Sequence, residues 1–191
     1  MKKILIGTHN RGKFREIAYL ISKKFKKISP ITLKIKSPKE TGKTFESNSR
    51  LKANFFSKFV DFPVISDDSG LCIKSLKNTP GVYSARLAKE KGGFNNAMKY
   101  ILKKLKLKKN RSAFFVCNLT YKSQDGKLIN VQGKIYGKIS DKILGKNGFG
   151  YDPIFIPNFY KETYGQMNKR IKMKIDHRYL AFKKLRKKIN S

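Results

Sequence analysis

A chain of 191 residues with 39% hydrophobic and 12% aromatic content can bury one substantial core, which excludes a disordered protein. No stretch approaches the ~18 consecutive apolar residues of a membrane helix. Forty-five Lys and Arg against 12 Asp and Glu leave a net charge of +33, which favours anionic partners such as phosphates, nucleic acid or anionic surfaces without choosing among them.

The lysines lie in nearly every segment, including KKFKK (23–27), KKLKLKK (103–109) and KKLRKK (183–188). That spread reads as lysine on solvated faces. No nucleic-acid module and no basic face interleaved with aromatics is legible, so no specific nucleic-acid partner is expected, only nonspecific retention by polyanions. Cys72 and Cys117 sit in apolar contexts without metal-type spacing and read as buried free thiols. The opening MKKILIGTHN has too short an apolar run for a secretory leader, and the cytoplasm is the expected location.

In chain order, KKILIG (2–7) reads as a buried strand. Phe14, Ile17, Leu20, Ile21 and Phe25 then recur at helical spacing. Leu51, Phe55, Phe56 and Phe59 mark a second helix leading into a strand at FPVISD (62–67). LKNTPG (76–81) and KNGFG (146–150) read as loops. Phe94, Ala97, Met98, Ile101, Leu102 and Leu105 form an amphipathic stripe. AFFVCNLTY (113–121) and KLINVQGKIYGKI (127–139) read as an antiparallel pair joined by SQDG (123–126), and a basic helix closes the chain over about 175–189. The order is mixed α/β, with no repeat and no linker.

Four stretches carry candidate chemistry. In GTHNRGKFREI (7–17), Thr8, Asn10, the Gly12 amide and Lys13 stand between a strand and a helix, where they form either a phosphate cradle or a capped helix start with a surface lysine. The spacing fits neither a Walker motif nor GxGxxG. In VISDDSGL (64–71) a strand is expected to end at Asp67-Asp68 and turn at Ser69-Gly70, setting two carboxylates at the edge of a sheet. Adjacent carboxylates are costly unless a cation relieves them, and Mg²⁺ suits hard oxygens and phosphates. NGFGYDPIFIP (147–157) offers Phe149 and Tyr151 as stacking faces, with Gly150 and Asp152 beside them, or else a glycine-aromatic turn before a strand. In KRIKMKIDHRYLAFKKL (169–185), Lys172, His177 and Arg178 lie within two helical turns and can bind phosphate or a carbonyl oxygen.

In this order the pieces THNRGK, TGKTF with NSRLKA, SDDSGL, PGVYSAR, GFGYDPIF and K-x4-HR resemble the inosine triphosphate pyrophosphatase family, also called XTP/dITP diphosphatases. The resemblance spans essentially the whole chain. It implies an α/β fold: an elongated mixed β-sheet flanked by helices in two lobes, with a central nucleotide cleft, built by residues 1–191 as a single domain and assembled as a homodimer. The implied reaction cleaves ITP, dITP or XTP to the monophosphate and pyrophosphate. Carried over, Asp68 is the general base. Glu40, Asp68 and Asp67 are the Mg²⁺ carboxylates. Thr8, His9, Asn10, Arg11, Gly12 and Lys13 form the triphosphate cradle, and Ser69 lines the substrate site. Phe149, Gly150, Tyr151 and Asp152 surround base and sugar, with Lys172, His177 and Arg178 completing the pocket.

The chain departs from the family pattern in three places. Ser47 stands where Glu is usual before Asn48, with Glu46 one residue earlier; one residue turns a helical side chain by roughly 100°. Arg170 and Ile171 replace an acidic pair, and Asp176 replaces Ser. Two other readings are a nucleic-acid-binding protein driven by the net charge, and a pyrophosphatase acting on modified pyrimidine nucleotides.

Overall fold

The computed structural model describes residues 1–190. Among them seven strands form one sheet in the order β2-β1-β3-β5-β6-β7, with β4 paired to β3. The strands are β1 (Lys2–Ile6), β2 (Phe25–Ile28), β3 (Val64–Ile73), β4 (Thr79–Pro80), β5 (Ser112–Lys122), β6 (Leu128–Ile139) and β7 (Phe155–Pro157). The helices are α1 (Arg11–Leu20), α2 (Phe45–Phe56), α3 (Ser84–Glu90), α4 (Phe94–Leu105), α5 (Lys169–Lys172) and α6 (His177–Asn190). The sheet is mixed: β1 runs parallel to β2 and β3, whereas β3–β4 and β6–β7 are antiparallel. The α/β class is therefore as expected.

The chain divides into two compact units, each assembled from separate segments. The first comprises Met1–Asp68, Cys117–Gly133 and the chain from Arg178 onward; the second comprises Ser69–Val116 and Lys134–His177.

In the first unit β1 lies between two parallel neighbours and is apolar on both faces, as a covered parallel strand must be. Ile4 and Ile6 pack with Ile17, Ile65, Cys117, Leu119 and Ala181, while Leu5 packs on the other face with Phe56 and Val64. In the second unit the α4 stripe Ala97, Met98, Ile101 and Leu105 closes over Leu71, Ile73, Phe115, Phe155 and Tyr164. Both cysteines are free and buried.

Three local expectations give way. Phe25 does not extend α1; it opens β2, a short strand (FKKI) whose lysines masked a parallel pairing with β1. α2 begins six residues before Leu51, because Thr44 caps it. β3 does not end at Asp67-Asp68. It continues through Ser69 and Gly70 to Leu71-Cys72-Ile73, all buried, of which Cys72 and Ile73 pair with β4, so the acids lie within a strand and not at its end.

Candidate active site

In the first unit the site starts where β1 stops. The Gly7 amide donates to Ile65 O at 2.8 Å, and a Cβ on Gly7 would strike Ser66 Oγ and the Phe56 ring, so the chain leaves the sheet through a residue without a side chain. The Asn10 amide donates to Thr8 Oγ1 at 3.2 Å, and the Lys13 amide donates to Asn10 Oδ1 at 3.0 Å. These two local bonds start α1 and hold the THNRGK loop. His9 donates Nε2 to Ile35 O at 2.9 Å. Arg11 opens the helix, and Gly12 is buried in it.

Asp67 and Asp68 follow each other on β3, so their side chains leave on opposite faces. The packing confirms the alternation: Ile65 and Asp67 face α1 and α6, while Val64, Ser66 and Asp68 face α2. Lys13 Nζ stands 3.2 Å from Asp67 Oδ2, and Arg178 Nε 3.7 Å from the same oxygen. Arg178 Nη1 also donates to Glu16 Oε2 at 2.7 Å. All four groups are buried or nearly so. Burial pushes the Asp67 carboxyl up, but Lys13, Arg178 and Lys52 outweigh it and hold the group at about 2.

On the other face Asn48 donates Nδ2 to Asp68 Oδ2 at 3.1 Å and accepts the Gly42 amide on Oδ1 at 2.8 Å. One turn on, Lys52 Nζ lies 2.6 Å from Glu40 Oε1 and 3.9 Å from Asp68 Oδ1. Burial raises the Asp68 carboxyl; Lys13 and Lys52 pull it down and Glu40 pushes it up, and the balance lies above the ordinary carboxylate value. Burial drives Lys52 the other way, but Asp68, Asp67 and Glu40 prevail and keep it charged. The cations beside the two aspartates are thus side chains of this chain: Lys13 and Arg178 stand against Asp67, and Lys52 stands on the Asp68 face.

Among the described residues no three His, Cys, Asp or Glu side chains converge as a metal cluster. Glu40 and Asp68 nonetheless converge on one positive point, the Lys52 ammonium. That donor set fits a hard divalent ion, since Mg²⁺ commonly takes one or two protein carboxylates and completes its shell with water and phosphate oxygens.

In the second unit the GFGYD loop is closed by Asp152. Its Oδ2 accepts the Phe149 amide at 2.8 Å and lies 2.6 Å from Lys172 Nζ. Gly148 has φ +74, and a Cβ there would run into the Asp152 carboxylate. Gly150 is also left-handed, at φ +67. Lys172 is buried, with its ammonium 5.0 Å from the Phe149 ring centroid and 5.4 Å from that of Tyr164. Tyr151 is buried in the core, edge-on to Phe94, and donates its hydroxyl to Ser84 O at 2.9 Å; burial drives its pKa far up. Phe149, half-buried, is the ring of that pair with surface to offer. His177 is buried and stacked on Phe115 at 4.8 Å. Ser69 is half-buried in β3.

The predicted residues therefore gather by unit: Thr8–Lys13, Glu40, Asp67, Asp68 and Arg178 in the first, and Ser69, Phe149–Asp152, Lys172 and His177 in the second. Arg178 packs against Asp67 and Glu16. Sequence reading missed Glu16, Asn48 and Lys52. The last two stand four residues apart in NSRLKA, a spacing that puts both on one helix face and was available as a signal. Glu16 carried no comparable mark.

A family model described as the Ham1 family matches residues 4–188. The chain belongs to the Ham1 family. It is 40% identical over 196 residues to the dITP/XTP pyrophosphatase of Borrelia duttonii, covering 98% of this chain and 96% of that protein. It is 35% identical over 187 residues to the dITP/XTP pyrophosphatase of Zymomonas mobilis, covering 96% and 90%. The Staphylococcus aureus Ham1 protein superposes with a TM-score of 0.87 at 34% identity, over 99% of this chain and 98% of that one.

Against this Ham1 background the departures acquire local explanations. Ser47 accepts the Thr44 amide while Thr44 accepts the Ser47 amide, a capping box that a serine completes. Glu46 is exposed and paired with Arg50 at 3.2 Å, so it is not directed at the Asp68 group. Asp176 is buried directly before α6. Arg170 and Ile171 are exposed on α5, and nothing in the structure explains their replacing acids.

Proposed function

We propose that this chain hydrolyses the non-standard purine nucleoside triphosphates dITP, ITP and XTP to the monophosphate and pyrophosphate. The reading is supported by Ham1 relatives that are dITP/XTP pyrophosphatases over nearly the full chain. The observation that carries it is Asp68: a buried carboxylate with a raised pKa, held by Asn48 and Lys52 and sharing that lysine with Glu40.

In this reading Asp68 is the general base. It accepts a proton from water as the water oxygen bonds to the α-phosphorus; the bond from that phosphorus to the bridging oxygen breaks, and pyrophosphate leaves. Glu40 and Asp68 would hold Mg²⁺, which when bound neutralises phosphate charge, whereas Asp67 lies on the opposite face of β3 against Lys13 and Arg178. The residues Thr8 to Lys13 receive the triphosphate through loop amides, the α1 N-terminus and the Lys13 ammonium. Asp67, kept ionised, balances Lys13 and Arg178 and so fixes where the lysine stands. Phe149 supplies a stacking face. Donors among Lys172 and His177 would satisfy the C6 carbonyl of hypoxanthine or xanthine and leave the adenine amine badly paired. A cytoplasmic homodimer completes the proposal.

Incubation with dITP, XTP and the four standard dNTPs, with and without Mg²⁺, tests it. Pyrophosphate release from dITP and XTP is expected. Orthophosphate as the product contradicts the reaction, and equal rates on dATP contradict the specificity.

A further inference from the structure

PGVYSAR (80–86) supplies no residue to the proposed reaction, yet its Ser84 is buried in the second unit and bonded to two segments that do. Ser84 Oγ donates to Gly81 O at 2.7 Å, closing the turn that leads into α3, and accepts the Leu71 amide at 3.0 Å. Leu71 lies on β3 two residues beyond Ser69 and is fully buried, so its amide needs a partner from the chain. The Ser84 carbonyl accepts the Tyr151 hydroxyl at 2.9 Å, a bond between buried groups. The Tyr151 ring lies edge-on to Phe94 at 5.2 Å, and its chain neighbour Asp152 accepts the Phe149 amide. Ser84 thus ties the β3 segment that carries Ser69 to the loop that presents the Phe149 ring.

We propose that Ser84 is a positioning residue for nucleobase recognition, setting the Phe149 loop against Ser69. The inference rests on the reading of Ser69 and Phe149 as substrate-lining residues. A hydroxyl carries one proton and free lone pairs, so a single Oγ can donate to Gly81 and accept from Leu71, whereas a methyl does neither. Tyr151 completes the link as a peg: its ring and hydroxyl are both taken up inside the unit, which leaves Phe149 as the ring with surface to offer. Recognition by stacking and polar fit needs its groups held to within about 0.5 Å, which a loop achieves only when it is tied down. The cradle Thr8 to Lys13 belongs to the first unit and has its own bonds, so Ser84 should act on the base and not on the phosphates.

Titration calorimetry in EDTA tests this with the whole protein and its Ser84→Ala and Tyr151→Phe variants. The probes are dITP and inorganic tripolyphosphate, which lacks a base. Each variant should bind dITP about 10-fold more weakly, as a small misplacement of contacting groups does, and should bind tripolyphosphate as the parent does. In steady state both should raise KM for dITP and narrow the preference for dITP over dATP. A merely structural loss would lower the active fraction, and with it kcat on every substrate alike, leaving KM and the preference unchanged. Tyr151→Phe keeps the ring and removes only the hydroxyl, so it decides the question if Ser84→Ala does not fold. Parent affinity and parent preference in either folded variant, or equal weakening of dITP and tripolyphosphate, would overturn the proposal. A parent protein that binds dITP without cleaving it would overturn the hydrolytic reading alone, because the binding comparison still decides what Ser84 does.

Discussion

Asn48 donates to Asp68 at 3.1 Å with both side chains buried, and the same carboxamide fixes the Gly42 amide at 2.8 Å. One side chain thus ties the loop that carries Glu40 to the carboxylate assigned as general base. Its hydrogen bond favours the ionised form of Asp68 and partly offsets burial. In Asn48→Ala, with EDTA present, Asp68 should titrate still further above its ordinary 3.8, as carboxyl NMR reads it. The unmet Gly42 amide should cost about 1–3 kcal/mol of stability. An unchanged titration would remove Asn48 from the site.

Neutralising the base should be severe. Asp68→Asn keeps the shape but cannot take a proton, and kcat on dITP should fall about 10²–10⁴-fold. Substrate binding should change far less, because the THNRGK loop is held by its own hydrogen bonds. Full turnover in the variant sinks the assignment.

Asp67 should govern acid stability. Its folded-state pKa is depressed from 3.8 to about 2, so its contribution is complete above about pH 4 and is lost as pH falls through about 2. Linkage puts that contribution at roughly 2 kcal/mol. Asp67→Asn should therefore be less stable than the parent at pH 7, with the two melting curves converging between about pH 4 and 2. Parallel curves across that window contradict the pairing with Lys13 and Arg178.

The GFGYD loop offers a steric test. Gly148→Ala must place a Cβ against the Asp152 carboxylate at a left-handed φ, which should displace Asp152 from Lys172. Asp152→Asn takes away the carboxylate 2.6 Å from a buried ammonium, a loss of the kind that costs about 3–5 kcal/mol. Thermal melts should show both variants destabilised, and Lys172→Met/Asp152→Leu less so than Asp152→Asn alone.

Removing divalent metal should abolish turnover while leaving the fold intact, since Lys52 already compensates Glu40 and Asp68 without it. Circular dichroism in EDTA should match the untreated protein, and Mg²⁺ alone should restore pyrophosphate release. Hydrolysis at full rate in excess EDTA removes metal from the reading.

What the sequence by itself determined was whatever is written locally. The α4 stripe, the β5–β6 pair around SQDG, the apolar run of β1 and the motif loops all depend on neighbours within a few residues, and periodicity exposes them. Only the tertiary structure decided how the charges are partnered. Asp67 and Asp68 look like one acidic pair in the sequence, yet strand alternation sends them to opposite faces, one to Lys13 and Arg178, the other to Asn48 and Lys52. Arg178 meets Glu16 across 162 residues, and no local pattern in a lysine-rich chain marks which cation will find which acid. Burial makes that choice, because a charge withdrawn from water must be paired where the fold leaves it.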